Sequence, residues 1–309
     1  MNIFKACLKK LKKSLSVGDR LEAVEENFNK SLKYEWMHQS VIHSLLTCKE
    51  KGITETSSDG EQYVISLTTH GYRLERVYQT IESLLRQMRK ANKIVLYLSE
   101  EEFSGKELPI TLHPQMERGL DIRYVKDIRA YTKLIPALRD FPDANIITVD
   151  DDIIYPIDLT DRLIRAHHEH PRAVCCQVAR EIQMKGPETF ATYTDFNHVF
   201  ADTCITSPAY MALGHAGVLY PPHALHPEAF NEDVFMKICP YADDIWYKAM
   251  ELMQGTAVIQ LPRNPTHFMY GDPTVQTTSL MSVNIGHLKN DEQIKAVFDH
   301  YKLYDALKG

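Results

Sequence analysis

From Tyr63 onward the chain alternates between short β-branched apolar runs and stretches of helical periodicity, and that alternation constrains its fold more than any other feature. Tyr63-Val64-Ile65-Ser66-Leu67, Lys93-Ile94-Val95-Leu96-Tyr97-Leu98, Ile122-Arg123-Tyr124-Val125 and Asn145-Ile146-Ile147-Thr148-Val149 read as strands, while residues 74–88 and 133–139 read as helices. Strands that alternate with helices assemble into a largely parallel sheet, and runs this apolar are buried on both faces. A chain of 309 residues can bury such a core, with about two domains, or one large domain with additions, as the prior.

The last of these strands runs directly into Asp150-Asp151-Asp152, followed by Ile153-Ile154-Tyr155-Pro156. Ligands of open α/β sheets gather at the carboxyl ends of strands, so the triplet lies where a ligand would sit. Three like charges repel one another and resist desolvation. Unless the triplet is simply a solvated acidic turn, it needs a counter-charge, most simply a hard divalent cation with oxygen ligands. Two loops offer further contacts. Thr68-Thr69-His70-Gly71-Tyr72-Arg73 follows the first strand and presents Thr68, His70 and Arg73 to a base and ribose. Asp127-Ile128-Arg129-Ala130-Tyr131-Thr132-Lys133 spaces Arg129 and Lys133 so that one or both cations come near the triplet and neutralise a pyrophosphate. Surface solvation is the plainer alternative for each taken singly. Neither Gly-x-Gly-x-x-Gly nor Gly-Lys-Ser/Thr is present, which weakens dehydrogenase and P-loop readings.

Two later segments suit chemistry. Leu213-Gly214-His215-Ala216-Gly217-Val218-Leu219-Tyr220-Pro221-Pro222 reads as a loop whose glycines let backbone approach something closely. Tyr241-Ala242-Asp243-Asp244-Ile245-Trp246 sets an acidic pair ahead of an apolar helix over residues 245–253. One Asp caps such a helix, but two exceed what one cap requires, and the second can serve as a general base.

These segments, in this order over residues 61–290, resemble bacterial GT-A-type glycosyltransferases of surface polysaccharide synthesis. The resemblance implies an α/β, Rossmann-like fold with a mostly parallel central sheet flanked by helices. It implies that Asp150 and Asp152, with Asp151 between them, form an Asp-x-Asp motif that holds Mn2+ or Mg2+ on the diphosphate of a nucleotide-sugar donor and contacts the ribose. It further implies that Asp244, beside Asp243, deprotonates the acceptor, a glycan or lipid-linked glycan of capsule or lipopolysaccharide. The donor expected is a UDP-hexose and the expected course is inversion, with a retaining mechanism open. His267 and His287 are downstream residues for the diphosphate or metal, or structural histidines. A sugar-nucleotide pyrophosphorylase, a metal-dependent phosphohydrolase and a non-catalytic carbohydrate-binding protein are the rival classes. The first lacks a glycine-rich pyrophosphate signature, the second lacks clustered histidines, and the third does not need both acidic constellations.

Residues 1–60 lie outside the resemblance and read as a helical N-terminal extension, leaving 61–309 as the transferase domain. Residues 1–13 carry Lys5, Lys9, Lys10, Lys12 and Lys13 without an acid, with Phe4, Leu8, Leu11 and Leu15 on one helical face. A basic amphipathic segment over 1–16 suits an anionic membrane surface, or is an ordinary surface helix. A second helix is expected to about Cys48, and 51–60 reads as a linker. A formal net charge of −6 argues against nucleic acid as a partner. Six cysteines without Cys-x-x-Cys spacing fit free thiols in a cytoplasmic protein, peripheral on the membrane's inner face at most.

Overall fold

The structure, a computed structural model, describes residues 17–263, 269–270 and 289–308. Its centre is a sheet of β1 (Tyr63–Thr68), β2 (Lys93–Ser99), β3 (Leu120–Val125), β4 (Asn145–Thr148), β5 (Val174–Cys176), β6 (Ile205–Thr206), β7 (Val218–Tyr220) and β8 (Val258–Gln260). Their spatial order is β6-β8-β5-β7-β4-β1-β2-β3, and only β6 and β7 run against the others. The molecule is thus mixed α/β, with a large, mostly parallel sheet flanked by helices.

Alternate residues of the central strands point to opposite faces. Val64, Val95, Ile146, Cys176 and Val218 enter one core, closed by α3 (Ile135–Asp140), α5 (Asp243–Gln254) and α6 (Lys289–Tyr301) through Ile135, Trp246 and Phe298. Ile65, Leu96, Ile147, Cys175 and Leu219 enter the other, closed by α2 (Tyr78–Leu85) and α4 (Leu159–Glu169) through Ile81 and Leu163. Full burial of each such side chain contributes about 1.5–3 kcal/mol. Both faces being covered, the strands read as unbroken apolar runs.

The chain lays β1, β2 and β3 side by side and then returns to place β4 on the other side of β1. The order of strands therefore reverses between β1 and β4, which opens a crevice at their carboxyl ends. The antiparallel β7 lies inside the segment expected to be a loop. The helices beside the crevice are shorter than their periodicity suggests. A 3-10 turn at Gly71–Glu75 precedes α2, and another at Arg129–Lys133 precedes α3, whose first turn holds Pro136.

Helix α1 (Val17–Thr47) fills the expected helical extension, while residues 1–16 lie outside the described residues. Residues 51–60 do not hang free as a linker. Gly52 N–H donates to Arg118 O at 2.8 Å and Thr54 N–H to Ala91 O at 3.0 Å. Asp59 accepts from the Tyr63 hydroxyl at 3.0 Å and pairs with Arg89 at 2.5 Å. Arg118 is the anchor: its Nη1 reaches both oxygens of Glu82, at 2.7 and 2.8 Å, and its Nε donates to Glu50 O at 3.0 Å. Glu82 also receives Ser44 of α1, at 2.6 Å.

Candidate active site

The strand-end triplet lies at the β1/β4 crevice, and its three carboxylates are not equivalent. Thr69 Oγ1 donates to Asp151 Oδ2 at 2.6 Å, and Arg73 Nη2 stands 3.0 Å from Asp151 Oδ1. Both oxygens of Asp151 are thus engaged, and its side chain is only 6% exposed. Asp150 and Asp152 keep 33% and 19% of their side chains open, so the outer two members reach the cavity and the middle one anchors the loop. Arg73 also pairs with Asp152 at 2.5 Å, and Lys133 with Asp150 at 2.9 Å. The counter-charges demanded by the triplet are therefore already supplied by a guanidinium and an ammonium. Burial and the charge of Asp150 still push the Asp152 carboxyl up to about 6, against the pull of Arg73. Burial opposes ionisation of Asp150 as well, but Lys133 outweighs it and holds that carboxyl below its ordinary value.

Lys133 bridges to the second acidic pair, with its Nζ 3.2 Å from Asp243 Oδ2. The expected helix cap is absent. Helix α5 begins at Asp243 with Ala242 as its N-cap, and no side chain caps it. Asp244 instead accepts from Gly214 N–H at 3.0 Å, across the crevice. Burial first and the neighbouring Asp243 second raise the Asp244 carboxyl to about 8, although Lys133 opposes the shift. Burial would discharge Lys133, yet Asp150, Asp243 and Asp244 keep it protonated well above its ordinary value. Gly214 makes room for this arrangement: a Cβ there would lie 2.7 Å from Lys133 Nζ and 3.1 Å from Asp244 Oδ1. Tyr155 ties the two halves together, its hydroxyl accepting from Asp150 N–H at 2.9 Å and donating to His215 O at 2.6 Å.

Of the twelve residues singled out from the sequence, ten line one cavity of about 750 Å³: Thr68, His70, Arg73, Arg129, Lys133, Asp150, Asp151, Asp152, Asp243 and Asp244. Their parts differ from expectation. Thr68 Oγ1 is spent on Tyr97 O at 2.9 Å, so Thr69 is the hydroxyl that meets the triplet. Burial, then Arg73, depresses the His70 pKa, leaving the ring neutral. Arg129 does not pair with the triplet. Its backbone is left-handed at φ 61°, its N–H donates to Asp127 Oδ1 at 2.7 Å, and its guanidinium stacks on Tyr241 at 4.3 Å. His267 and His287 lie outside the described residues. Sequence reasoning missed Tyr193, Arg180, His198 and Asn290, which also line the cavity. Arg180 lies in a separate short strand, Ala179–Glu181, and no local sequence signal marks it.

Asp150 is paired through Oδ1 and Asp152 through Oδ2, and both side chains stay partly open to the cavity. Two carboxylates, completed by substrate phosphates and water, are what Mg2+ characteristically uses, and oxygen donors suit Mn2+ equally. The residues therefore fit a hard divalent cation shared with a diphosphate rather than caged by protein. Consistently, the triplet does not draw three ligand atoms together. Among the described residues that occurs at Glu169, His170 and Cys204, within 4.8 Å of one another, none of which lines the cavity.

No protein-family model and no curated protein matches the sequence. Among solved structures, the chain is similar to the mannosyltransferase PcManGT from Pyrobaculum calidifontis in complex with GDP-Man and Mn2+, at 13% identity and a TM-score of 0.42. That likeness covers 78% of this chain and spans only 65% of the other, and it concerns the fold alone.

Proposed function

We propose that this chain is a glycosyltransferase that takes a sugar from a nucleotide-sugar donor and passes it to a glycan hydroxyl, with inversion. The observation that carries the reading is the arrangement of acids in the cavity. Asp150 and Asp152 face the cavity at the β1/β4 crevice, and Asp244 lines the same cavity, next to Asp243, which shares Lys133 with Asp150. A hard divalent cation, Mn2+ or Mg2+, held by Asp150 and Asp152 would offset the negative charge that develops on the departing diphosphate. The chain's own residues do the rest. Arg73 and Lys133 keep the carboxylates positioned and ionised, Thr69 and Asp151 brace the loop, and Asp244 accepts the proton of the attacking hydroxyl. A carboxylate base separate from the leaving-group residues suits single displacement. A UDP-hexose donor and a capsule or lipopolysaccharide acceptor, lipid-linked or not, rest on the motif resemblance alone.

The test is a panel of nucleotide sugars screened for release of nucleoside diphosphate with Mn2+, with Mg2+ and with excess EDTA. One donor should be turned over in a metal-dependent way, and Asp152→Asn should abolish turnover while the protein still melts cooperatively. Full turnover in EDTA would remove the metal from the scheme, and turnover of none of the donors would remove the transferase.

A further inference from the structure

The cavity holds four cations, and their partners separate them. Arg73 and Lys133 are committed to carboxylates, and Arg129 is stacked at the rim on Tyr241. Arg180 is different. It is half-buried and lines the same cavity, and no carboxylate among the described residues pairs with it. Its Nη1 donates to Tyr193 O at 3.0 Å, its Nη2 lies 3.3 Å from His198 Nε2, and the guanidinium stacks on the Tyr193 ring at 5.1 Å. Burial and Arg180 itself depress the His198 pKa, so the ring is neutral and can accept from the guanidinium. The fork is held in place, yet its charge is left without an anion.

The neighbouring wall adds a second unmet group. Tyr193 N–H donates to Asp291 Oδ1 at 2.7 Å, which sets the start of α6 against Arg180. The adjacent residue, Asn290, lines the cavity at 7% exposure, and its Oδ1 has no hydrogen-bond partner among the described residues. A buried acceptor without a donor costs free energy until a ligand supplies one, and a hydroxyl is the simplest donor. A fixed guanidinium beside a vacant acceptor is complementary to a molecule with an anionic group and hydroxyls together. The position points to the acceptor rather than the donor. The Tyr193 phenol, on which Arg180 stacks, lies in the field of Asp244 and Asp243, whereas the triplet's end of the cavity has its own cations.

We propose that Arg180 recognises a carboxylate or phosphate on the acceptor sugar whose hydroxyl is presented to Asp244, with Asn290 accepting from a neighbouring hydroxyl. The assignment to an acceptor rests on the transferase reading, whereas recognition of a charged sugar can be measured without it. Binding of a methyl hexoside, the corresponding methyl uronoside and the methyl hexoside 6-phosphate would be followed by NMR titration in the absence of donor. At least one charged glycoside should bind tighter than the neutral one by about 10-fold or more, as a charge-assisted hydrogen bond warrants. Whichever charged glycoside prevails tells carboxylate from phosphate. In Arg180→Gln the ratio of charged to neutral binding should collapse towards one, while Asn290→Ala should weaken all three alike. Equal or undetectable binding of charged and neutral glycosides by the native protein overturns the inference. So does an Arg180→Gln variant that keeps the charge preference and loses affinity for UDP instead. Charge-selective binding without turnover of any nucleotide sugar would defeat the transferase reading and leave this one standing. Donor turnover without charge selectivity would do the reverse.

Discussion

A carboxyl raised to about 8 is protonated through most of the neutral range, and Asp244 must lose that proton before it can accept one. Transfer should therefore climb with pH and level off above about 8. Asp244→Asn should lower it by roughly 10²-fold or more, because the amide still accepts from Gly214 N–H but cannot take a proton. Stability moves the other way. The unfolded carboxyl ionises near pH 4 while the folded one keeps its proton to about 8, so burial of Asp244 destabilises the native state progressively across that window. The melting temperature of Asp244→Asn should exceed that of the native protein by a margin that grows from about pH 5.5 to about pH 8.5. A margin independent of pH would show that the carboxyl titrates normally. Gly214→Ala tests the same crowded spot from the backbone side. A methyl 2.7 Å from Lys133 Nζ must push the ammonium away from Asp150 or Asp243. Overpacking of this kind costs about 1–3 kcal/mol, and turnover should fall with it. Unchanged melting and turnover would mean that Lys133 can sit elsewhere.

At the scale of elements, the contact between α1, α2 and the segment before β1 depends on one buried ion pair. Glu82 and Arg118 are 0% and 3% exposed, and Glu82 collects Ser44, Gln115 and Arg118. Arg118→Met should destabilise by about 3–5 kcal/mol in urea unfolding, since a buried carboxylate is left uncompensated. Adding Glu82→Met should restore much of the loss; a double variant no better than the single would place the energy in packing instead. Strands β1, β2 and β4 were legible in the sequence because a sheet buried on both faces needs apolar side chains at nearly every position, and that pattern is local; β3, a half-exposed edge strand, was legible only in part. Helix ends were less so, as the 3-10 turns before α2 and α3 are set by how the chain enters the crevice. Strand β7 was read as loop because three apolar residues between Gly217 and Pro221 carry no period, and their strand geometry comes from pairing with β4 and β5. The acids of the site were visible through charge clustering at strand and helix ends. Arg180 and Asn290 were not, since each stands alone in sequence and meets its neighbours only in the fold.

For the molecule as a whole, the net charge of −6 hides a division between a basic start and an acidic remainder. Helix α1 turns Phe28, Leu32, Trp36 and Leu46 outward, at 61%, 53%, 73% and 71% exposure, and their spacing puts them along one side. No described helix is long and apolar enough to cross a membrane. Deleting residues 1–16 should weaken association with anionic vesicles, and salt should weaken the intact chain's association too; equal partitioning of both forms onto anionic and neutral vesicles would exclude an electrostatic anchor. Turnover on a short soluble acceptor should survive the deletion. The position of Lys133 has a wider consequence. One ammonium pairs with both Asp150 and Asp243, so if those carboxylates serve donor and acceptor as proposed, the two substrates cannot bind as strangers. A donor that satisfies Asp150 releases the ammonium's field towards Asp244 and eases its ionisation, and an acceptor that engages Asp244 must strengthen the hold on the donor by the same factor. Reciprocity of this kind would make joint occupancy of the two sites a property of a shared charge rather than of a moving lid.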